Sequence, residues 1–349
     1  RRTTEGVRES AVGKIKGFLS GIYSPFGVRG MRDALRRERP DIVNVHNLYP
    51  FISPAALFEC KKAGVPIVMT IHNFRLICPT GLFMRDGLPC EVCLERGNEW
   101  SCVRYNCECS RLKSIGYTIR NVCARWIGAY RKNVAAFACI TDFQRQKLIA
   151  AGYDSEKIVV IPNFLPMPKL YENEVGKYVA FCGRISREKG VDLILEVARR
   201  NPYILFKLAG EVRDKGLVED LPSNCELVGY LSGESLSRFY RESAFFVMAS
   251  KWYEGFPMAI LEAACYGKPT IGPAHGGFTE IIGRGEQAIG DLFEPNNFDD
   301  LERKVVSLWN RPDEIARLGE KAFEKLKREY SSEVIYQKWD NLFQKLIKE

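Results

Sequence analysis

The sequence lacks the hydrophobic segments of a membrane-spanning or secreted chain. No run of about 18 apolar residues occurs, so we expect no spanning helix. The first residues, Arg1 to Gly6, lack the apolar core of a signal peptide. Internal repeats and low-complexity tracts are also missing, which argues against a repeat array. What remains, 349 residues with an ordinary apolar share of 46%, predicts a globular chain long enough for two domains.

Charge is distributed unevenly along the chain. Residues 1–170 carry 26 Lys and Arg against 14 Asp and Glu, whereas residues 171–349 carry 25 against 29. A basic surface attracts anionic acceptors, acidic lipid and nucleic acid. We therefore expect different partners for the two halves, although a basic face that meets only solvent would give the same count.

Strand and helix patterns alternate in the first half. The strand patterns fall at residues 41–46, 65–71, 136–141 and 157–161. The helical patterns fall at residues 28–39, 54–62, 112–132 and 143–150. This βαβ alternation predicts a parallel sheet. Because four strands are few for such a domain, we expect a first strand and its glycine loop to be absent from this sequence.

The alternation restarts after a proline-rich connector at residues 162–168. Strands are predicted at 178–182, 203–209, 226–229, 244–248 and 269–272, and helices at 191–198, 234–240, 258–266, 298–309, 312–329 and 332–348. We therefore predict an α/β fold with two Rossmann-like domains, residues 1–166 and 167–331, whose parallel sheets face a central cleft. The last helix, in residues 332–349, is expected to pack back on the first domain.

Two glutamates lie close to a strand-to-helix junction in the second domain. Glu254 lies in the loop after the apolar run 244–249, and Glu262 lies about two turns into the next helix. Ligands bind at this edge of open α/β sheets. The free N–H groups of a helix start can hold an anionic or hydroxyl-rich ligand. A glutamate inside the helix can accept hydrogen bonds from the paired hydroxyls of a sugar.

Two further turns carry cations or glycines after predicted strands. Residues 182–190 include Arg184 and Lys189, and these two cations can grip a diphosphate. A turn with two exposed bases would have the same sequence. The His-Gly-Gly run at 275–277 follows the strand at 269–272, and its glycines allow a ligand to approach the backbone closely. A flexible surface turn is the alternative there.

Taken in order, these three blocks resemble the donor half of the retaining glycosyltransferases of family 4, which have the GT-B fold. The likeness covers nearly the whole chain from about Arg39 onward. It implies transfer of a sugar from a nucleotide diphosphate to an acceptor hydroxyl, with retention at the anomeric carbon and no cofactor or metal required for catalysis. The glycine-rich loop that usually follows the family's first strand does not occur before Arg39.

The resemblance also implies roles for individual residues. Arg184 and Lys189 bind the donor diphosphate together with Gly183, and Glu262 binds the nucleotide ribose. Glu254 contacts the transferred sugar and is expected to be catalytic. Further residues implied as backbone contacts or as part of the cleft are Gly255, Phe256, Pro257, His275, Gly276 and Gly277.

Two histidines end predicted strands of the first domain. His72, followed by Asn73, is placed in the cleft and resembles the family's catalytic histidine, which helps to orient the reacting groups near the donor sugar. A structural histidine bound by backbone is the alternative. His46 is interpreted as a cleft-wall or acceptor-side residue, with a purely structural role equally open.

Six of the twelve cysteines are concentrated in one loop-like insert, residues 78–109. Cys90 and Cys93 have metal-ligand spacing, and Cys107 or Cys109 can supply a second pair. A loop of this length needs something to order it, and a structural zinc is one means. Free thiols and disulfides are alternatives. The resemblance favours one ligand set: Cys78, Cys90, Cys93 and Cys107.

The expected activity is that of a glycosyltransferase in polysaccharide, lipopolysaccharide or glycolipid synthesis. Its expected partners are a nucleotide-diphosphate sugar and an anionic or lipid-linked glycan acceptor, and its expected place is cytoplasmic. The helix at 112–132 mixes aromatic and basic residues; a core helix with a basic outer face is favoured over contact with an acidic membrane surface. The alternatives are a GT-B epimerase or phosphorylase, or a basic zinc-containing nucleic-acid binder. No nucleic-acid-binding module is matched, so we expect no nucleic-acid partner.

Overall fold

The computed structural model describes residues 20–49, 52–167 and 174–348. The chain folds into two compact units. The first unit contains the described residues up to Arg85, then Cys90–Ile161, and those from Lys338 onward. The second contains Asp86–Pro89 and the described residues of Pro162–Gln337.

The first unit is built on a parallel sheet. Strands in this part of the chain are β1 (Val43–Val45), β2 (Ile67–Ile71), β3 (Met84–Arg85), β4 (Leu88–Pro89), β5 (Ala136–Cys139) and β6 (Ile158–Val160). Helices are α1 (Pro25–Glu38), α2 (Leu57–Lys62), α3 (Val92–Glu95), α4 (Ser101–Arg104), α5 (Arg111–Trp126) and α6 (Asp142–Ala150). The sheet has the order β1-β2-β5-β6, and β2 and β5 are buried along their whole length. All four predicted strands are confirmed, each with shorter ends.

Helix ends in this unit follow ordinary capping chemistry. Ser24 precedes α1 and its Oγ accepts a hydrogen bond of 3.0 Å from the Gly27 N–H, while Pro25 occupies the first helical turn. Thr141 caps α6 in the same way through Gln144, at 3.3 Å. These caps orient the helices that pack on the sheet.

The cysteine-rich insert is more ordered than the sequence patterns predicted. We expected a loop, but the insert contains the hairpin β3–β4 and the short helices α3 and α4. Asp86 and Gly87 form the hairpin turn with φ of 53° and 77°. Positive φ at both central residues is the geometry that an Asp-Gly turn favours. The dipeptide was the signal that the sequence interpretation passed over.

Helix α5 is buried along its middle and exposes large apolar residues near its two ends. Its buried residues are mainly small or polar, among them Ser114, Thr118 and Asn121. Leu112 and Trp126, in contrast, are 84% and 76% exposed. Val122 and Ala124 are buried whereas Arg111, Lys113 and Arg125 are exposed, which agrees with the favoured prediction of a core helix with a basic outer face.

The second unit contains a six-stranded parallel sheet. Its strands are β7 (Tyr178–Cys182), β8 (Phe206–Ala209), β9 (Cys225–Gly229), β10 (Ser243–Val247), β11 (Thr270–Pro273) and β12 (Gly290–Phe293). Its helices are α7 (Val191–Arg200), α8 (Gly233–Glu242), α9 (Met258–Cys265), α10 (Gly277–Ile282), α11 (Phe298–Trp309), α12 (Pro312–Glu329) and α13 (Ser332–Lys348), the last of which continues into residues of the first unit. The five predicted strands are confirmed. β12 and α10 were missed, because glycine and aspartate are rare in strands and a Gly-Gly pair indicates a turn.

The strand order of this sheet indicates where along its edge a ligand binds. The order is β12-β11-β10-β7-β8-β9, so the direction of winding reverses between β7 and β10. β7 and β10 are parallel neighbours, and β10 is buried throughout. In open α/β sheets the crevice at such a switch point receives the ligand. The loops that follow these two strands are therefore the first place to look for a site.

Candidate active site

The carboxylate of Glu254 lies in the loop after β10, within a cluster of donors. Its Oε1 accepts hydrogen bonds from Lys189 Nζ, from Ser250 Oγ at 2.7 Å and from Trp252 Nε1 at 2.9 Å. The side chains of Lys189 and Glu254 are each only 14% exposed. Burial raises the pKa of Glu254, but the Lys189 charge and these hydrogen bonds outweigh burial and hold the pKa below its ordinary value. The carboxyl group of Glu254 is therefore ionised at neutral pH.

The loop after β7 packs directly on the end of β10. Gly190 has a φ of 68°, and a Cβ there would fall 1.9 Å from the carbonyl oxygen of Ala249, so glycine is required. The Lys251 N–H donates to the Glu188 carbonyl at 3.0 Å. This close approach is what brings Lys189 to Glu254 although 65 residues separate them.

Trp252 links the cations of the first loop to the carboxylate of the second. The centroid of its ring lies 5.7 Å from Arg184 Cζ and 5.2 Å from Lys189 Nζ. Cations at such distances are attracted to an indole face. The structure thus brings together Arg184, Lys189 and Glu254, three of the residues that the sequence singled out. Trp252 and Ser250 were missed, although both lie in the segment that carries Glu254.

The glycine pair after β11 packs on the same loop. His275 Nε2 lies 2.9 Å from the Ser250 carbonyl oxygen, which can only accept, so this nitrogen carries the proton. The Gly277 N–H donates to the Glu254 carbonyl at 2.9 Å, and a Cβ on Gly277 would fall 2.6 Å from the Gly255 carbonyl. The close backbone approach that these glycines allow is therefore to residues 254–255 of the chain itself.

Glu262 lies in α9, and a tyrosine positions its carboxylate. Tyr240, on α8, donates its hydroxyl proton to Glu262 Oε2. The ring of Tyr240 is 1% exposed and stacks on Phe246 with centroids 4.7 Å apart. Cys182, at the end of β7, is also hydrogen-bonded to Tyr240. Glu262 is thus held beside the strand that leads to Gly183 and Arg184. No periodicity in the sequence pointed to Tyr240.

The remaining predicted residues of this loop form the start of α9. Pro257 is the N-cap residue of α9, with a φ of −73°. Phe256 is buried, with its ring centroid 5.8 Å from that of Tyr330. Gly255 lies between Glu254 and this buried anchor, so its backbone is held next to the carboxylate.

In the first unit, the two predicted histidines contact each other. His46 Nδ1 and His72 Nε2 lie 2.8 Å apart, and the rings stack with centroids 5.1 Å apart. Asn73 donates to Asn47 Oδ1 at 3.4 Å beside them. β1 and β2 are parallel neighbours, so residues just beyond their ends meet at one edge. The sequence interpretation kept the two histidines apart, but the pairing follows from adjacent strands.

One proton lies between the two nitrogens of this contact, His46 Nδ1 and His72 Nε2. One nitrogen must donate and the other must accept, so at least one ring is neutral. Burial lowers the pKa of His72, and the nearby His46 lowers it further. His72 is therefore neutral at pH 7 and can act as a hydrogen-bond partner or proton acceptor there.

The cysteines of the insert do not form a metal site as they are placed. Across the described ranges, no group of three or more His, Cys, Asp or Glu side chains could hold a metal ion. The expected set of Cys78, Cys90, Cys93 and Cys107 still shares one neighbourhood, since burial and the other three thiols all raise the pKa of Cys93 to about 12. The structure gives no support to structural zinc, and the ligand set stays a prediction.

Two family models match this chain, one for each half. The model described as "Glycosyltransferase Family 4" matches residues 2–167, and the one described as "Glycosyl transferases group 1" matches residues 167–325. An uncharacterized 42.6 kDa protein in the cps region of Klebsiella pneumoniae is 26% identical over 86% of this chain and 77% of its own length.

A named enzyme and a solved structure extend the comparison. The poly(ribitol-phosphate) alpha-N-acetylglucosaminyltransferase of Staphylococcus aureus (strain COL) is 30% identical over 58% of this chain, which spans 43% of that enzyme. Among solved structures, Anabaena Alr3699/HepE in complex with UDP superposes with a TM-score of 0.68 at 13% identity, over 97% of this chain and 84% of that one.

The likeness in fold makes this chain a GT-B protein with two α/β units. Since the two family models together extend from residue 2 to residue 325, the chain belongs to the group 1, family 4 glycosyltransferases and is an enzyme. The resemblance seen in the sequence blocks is thereby confirmed. None of the helices in the described parts of the chain is long and apolar enough to cross a membrane.

The environment of His72 predicts how the first unit responds to acid. Because the folded pKa of His72 lies below its ordinary value of 6.5, the unfolded chain binds this proton first. The stability that neutral His72 contributes is complete above pH 6.5 and is lost as pH falls through the folded pKa. Histidine-selective NMR should show His72 titrating below 6.5. In His46→Gln the pKa should rise only partway, since burial is the larger cause; a wild-type value at or above 6.5 would contradict the assignment.

Proposed function

We propose that this enzyme transfers a sugar, with retention, from a nucleotide-diphosphate sugar to a hydroxyl of an anionic or lipid-linked glycan in polysaccharide, lipopolysaccharide or glycolipid synthesis. One observation carries the donor half of the proposal. Lys189, Arg184 and Glu254 meet around Trp252 at the carboxyl ends of β7 and β10. A cation pair beside a buried carboxylate at a switch point suits a diphosphate next to a hydroxyl-rich group.

The cations of this cluster stabilise the leaving diphosphate. Arg184 is about half exposed, and its planar guanidinium can donate to two phosphate oxygens. Lys189 acts as a point charge. Negative charge grows on the bridging oxygen as the sugar departs, and fixed cations reduce the free energy of that state. Gly183, directly before Arg184, lets the diphosphate approach the backbone. No metal is needed for this step, since the side chains supply the positive charge.

The two glutamates contact different parts of the donor: Glu254 the transferred sugar and Glu262 the ribose. The three donors to Glu254 all use Oε1, which leaves Oε2 to accept from a hydroxyl of the transferred sugar. The backbone amides of Gly255 and Phe256 then contact the same sugar. Glu262, held through one oxygen by Tyr240, presents the other to the ribose hydroxyls. Each carboxylate is thus oriented before the ligand arrives, which reduces the entropy lost on binding.

The acceptor side is assigned to the histidine edge of the first unit. His72 is neutral at pH 7 and orients the reacting groups, with His46 and Asn73 beside it. In a front-face route, the acceptor hydroxyl gives its proton to the departing phosphate as the new glycosidic bond forms on the face that the phosphate leaves. No side chain of the donor cluster is placed as a dedicated nucleophile: the Glu254 carboxylate is held by Lys189. Retention follows from that route.

The relatives support the choice of donor and acceptor. The Anabaena structure contains UDP, which favours uracil as the base of the donor nucleotide. The Staphylococcus enzyme is named for a poly(ribitol-phosphate) acceptor, and the Klebsiella protein is encoded in a cps region. An anionic acceptor also agrees with the excess of Lys and Arg in residues 1–170.

Isosteric variants separate the roles of the two glutamates. Glu254→Gln should lower kcat by roughly 100-fold or more, because an interaction with the reacting sugar is lost, and should leave the Kd for UDP within about 3-fold. Glu262→Gln and Tyr240→Phe should weaken UDP by roughly 5- to 50-fold through lost hydrogen bonds. Calorimetry and steady-state kinetics measure both quantities, with exposed Glu219→Gln as the matched control. Equal losses of kcat and UDP affinity in Glu254→Gln would overturn the division.

Product stereochemistry tests retention directly. With UDP-α-sugars as donors and an acceptor that is turned over, proton NMR of the fresh product should show the small anomeric coupling of an α-linkage. A β-linked first product would exclude the front-face route while leaving the transferase assignment intact.

We also propose that an acidic membrane surface is a partner, through the exposed apolar residues of α5. Leu112, Ile115 and Trp126 lie on one helical face, with Lys113 and Arg111 beside them. When the helix lies in the membrane interface, these apolar side chains leave water and the bases contact anionic headgroups.

The double variant Leu112→Ser, Trp126→Ser should no longer sediment with phosphatidylglycerol-rich vesicles. Tyr230→Ser, at a position 82% exposed in the second unit, is the control, and equal sedimentation of both variants would disprove this surface.

A further inference from the structure

A pocket beside the histidine pair is lined by Arg75, which forms no ion pair with a carboxylate of the described residues. His46, Asn47, Tyr49, His72 and Arg75 line this pocket in the first unit. The His46–His72 contact uses only one nitrogen of each ring, so Nε2 of His46 and Nδ1 of His72 remain to meet a ligand. The walls are therefore polar, and they offer hydrogen-bond donors.

The loop that carries Arg75 is held rigidly by its backbone. The Arg75 N–H donates to Asn73 Oδ1 at 3.0 Å, and the Arg75 carbonyl accepts from Asn121 Nδ2 at 2.6 Å. Gly81, with a φ of 79°, packs so closely that a Cβ would lie 3.3 Å from both Asn73 Oδ1 and Arg75 Cβ. The position of Arg75 is thus set before any ligand binds.

The guanidinium of Arg75 is incompletely satisfied. Its Nε is buried and has no hydrogen-bond partner in the described structure. Its Cζ lies 6.0 Å from the ring centroid of Tyr49, which is only a weak attraction. A buried charged group that lacks a hydrogen bond keeps its desolvation cost, so an anion drawn to this guanidinium would stabilise the arrangement.

A second arginine lies behind the same tyrosine. Arg120 is 7% exposed, with its Cζ 4.2 Å from the Tyr49 ring centroid. Its guanidinium donates to neutral acceptors, the Pro79 carbonyl at 2.9 Å and Asn121 Oδ1 at 3.3 Å. Burial lowers the pKa of Arg120; Tyr49 opposes that lowering, and the charge of Arg75 adds to it.

In the described part of this unit, the buried carboxylates Glu59 and Glu99 are paired with cations elsewhere. Glu59 binds Arg32 and Lys62, and Glu99 binds Arg125. Glu108 is close enough to Arg75 and Arg120 for their charges to lower its pKa, against a larger rise from burial, yet within the described residues no ion pair joins it to either arginine. Arg75 thus lines the pocket and Arg120 lies behind Tyr49, and among the described residues neither forms an ion pair.

We propose that this pocket binds a phosphate group of the acceptor, with Arg75 as its main ligand. Phosphate oxygens can accept from the two terminal nitrogens of the Arg75 guanidinium in the bidentate way that this group favours. Arg120 adds long-range attraction, and the neutral histidine pair adds one donor, because one N–H lies between the rings and only one outward nitrogen carries a proton. The inference rests on the proposed transferase function, because it states which chemical group of the acceptor the first unit recognises. The specific ligand class is a phosphate ester close to the hydroxyl that receives the sugar.

The three histidines of the chain allow a direct test without turnover. His46 and His72 line the pocket, while His275 belongs to the second unit and is an internal control. The enzyme, labelled with ¹³C at histidine and saturated with UDP to fill the donor site, is titrated at fixed pH with inorganic pyrophosphate or dimethyl phosphate. Potassium chloride at matched ionic strength is the salt control. Pyrophosphate represents a lipid-linked diphosphate, and dimethyl phosphate represents a phosphodiester polymer.

The resonances of His46 and His72 should shift saturably with at least one of the two probes, and His275 should not follow them. Arg75→Gln should weaken that binding by roughly 10-fold, and Arg75→Lys by less, since the point charge remains. The exposed Arg29→Gln should bind as the wild type does. An unchanged His275 resonance and an unchanged Tm in Arg75→Gln exclude misfolding.

The phosphate-site proposal is wrong if the resonances of His46 and His72 do not shift with either probe. It is also wrong if Arg75→Gln binds the probe as tightly as the wild type does. The transferase proposal fails by a different observation, namely that UDP neither binds nor perturbs His275. The two failures are therefore distinguishable in one series of spectra.

Discussion

The second unit depends on the ion pair between Lys189 and Glu254. It joins the loop after β7 to the loop after β10 across the point where the strand order reverses. Both side chains are largely buried, so either charge alone would carry a desolvation cost of several kcal/mol. The pair, together with Ser250 and Trp252, keeps both charges in place before a ligand arrives. If the proposed diphosphate binds at Lys189, it enters a site whose carboxylate is already oriented.

The first unit shows the opposite electrostatic arrangement. His46 and His72 share a hydrogen bond at the edge of β1 and β2, next to Arg75, whose Nε has no partner among the described residues. Where the donor cluster is neutralised internally, this pocket keeps an excess of positive charge. The contrast agrees with a division of labour in which one unit holds a preorganised donor and the other attracts an anionic acceptor.

Much of the fold follows from local patterns, for physical reasons that individual elements make plain. Tyr178–Cys182 and Phe298–Trp309 match their predicted bounds, because an apolar run or an amphipathic period with clear caps has few other stable conformations. Gly290–Phe293 was missed, since its pairing with β11 supplies what its own residues do not favour. The exposed Leu112 and Trp126 near the ends of α5 were missed for a related reason: a helical period does not show which of its apolar residues the core will cover.

The sequence by itself determined the alternating α/β architecture and the chemical types at the strand ends, because backbone preference and hydrophobic period are local properties of the chain. It also placed Arg184, Lys189, Glu254 and Glu262 after strands, where parallel sheets bind ligands. Only the tertiary structure decided that Lys189 pairs with Glu254, that Tyr240 holds Glu262, and that His46 meets His72. Such contacts depend on strand order and on close backbone approaches such as that of Gly190 to Ala249, which no local pattern encodes.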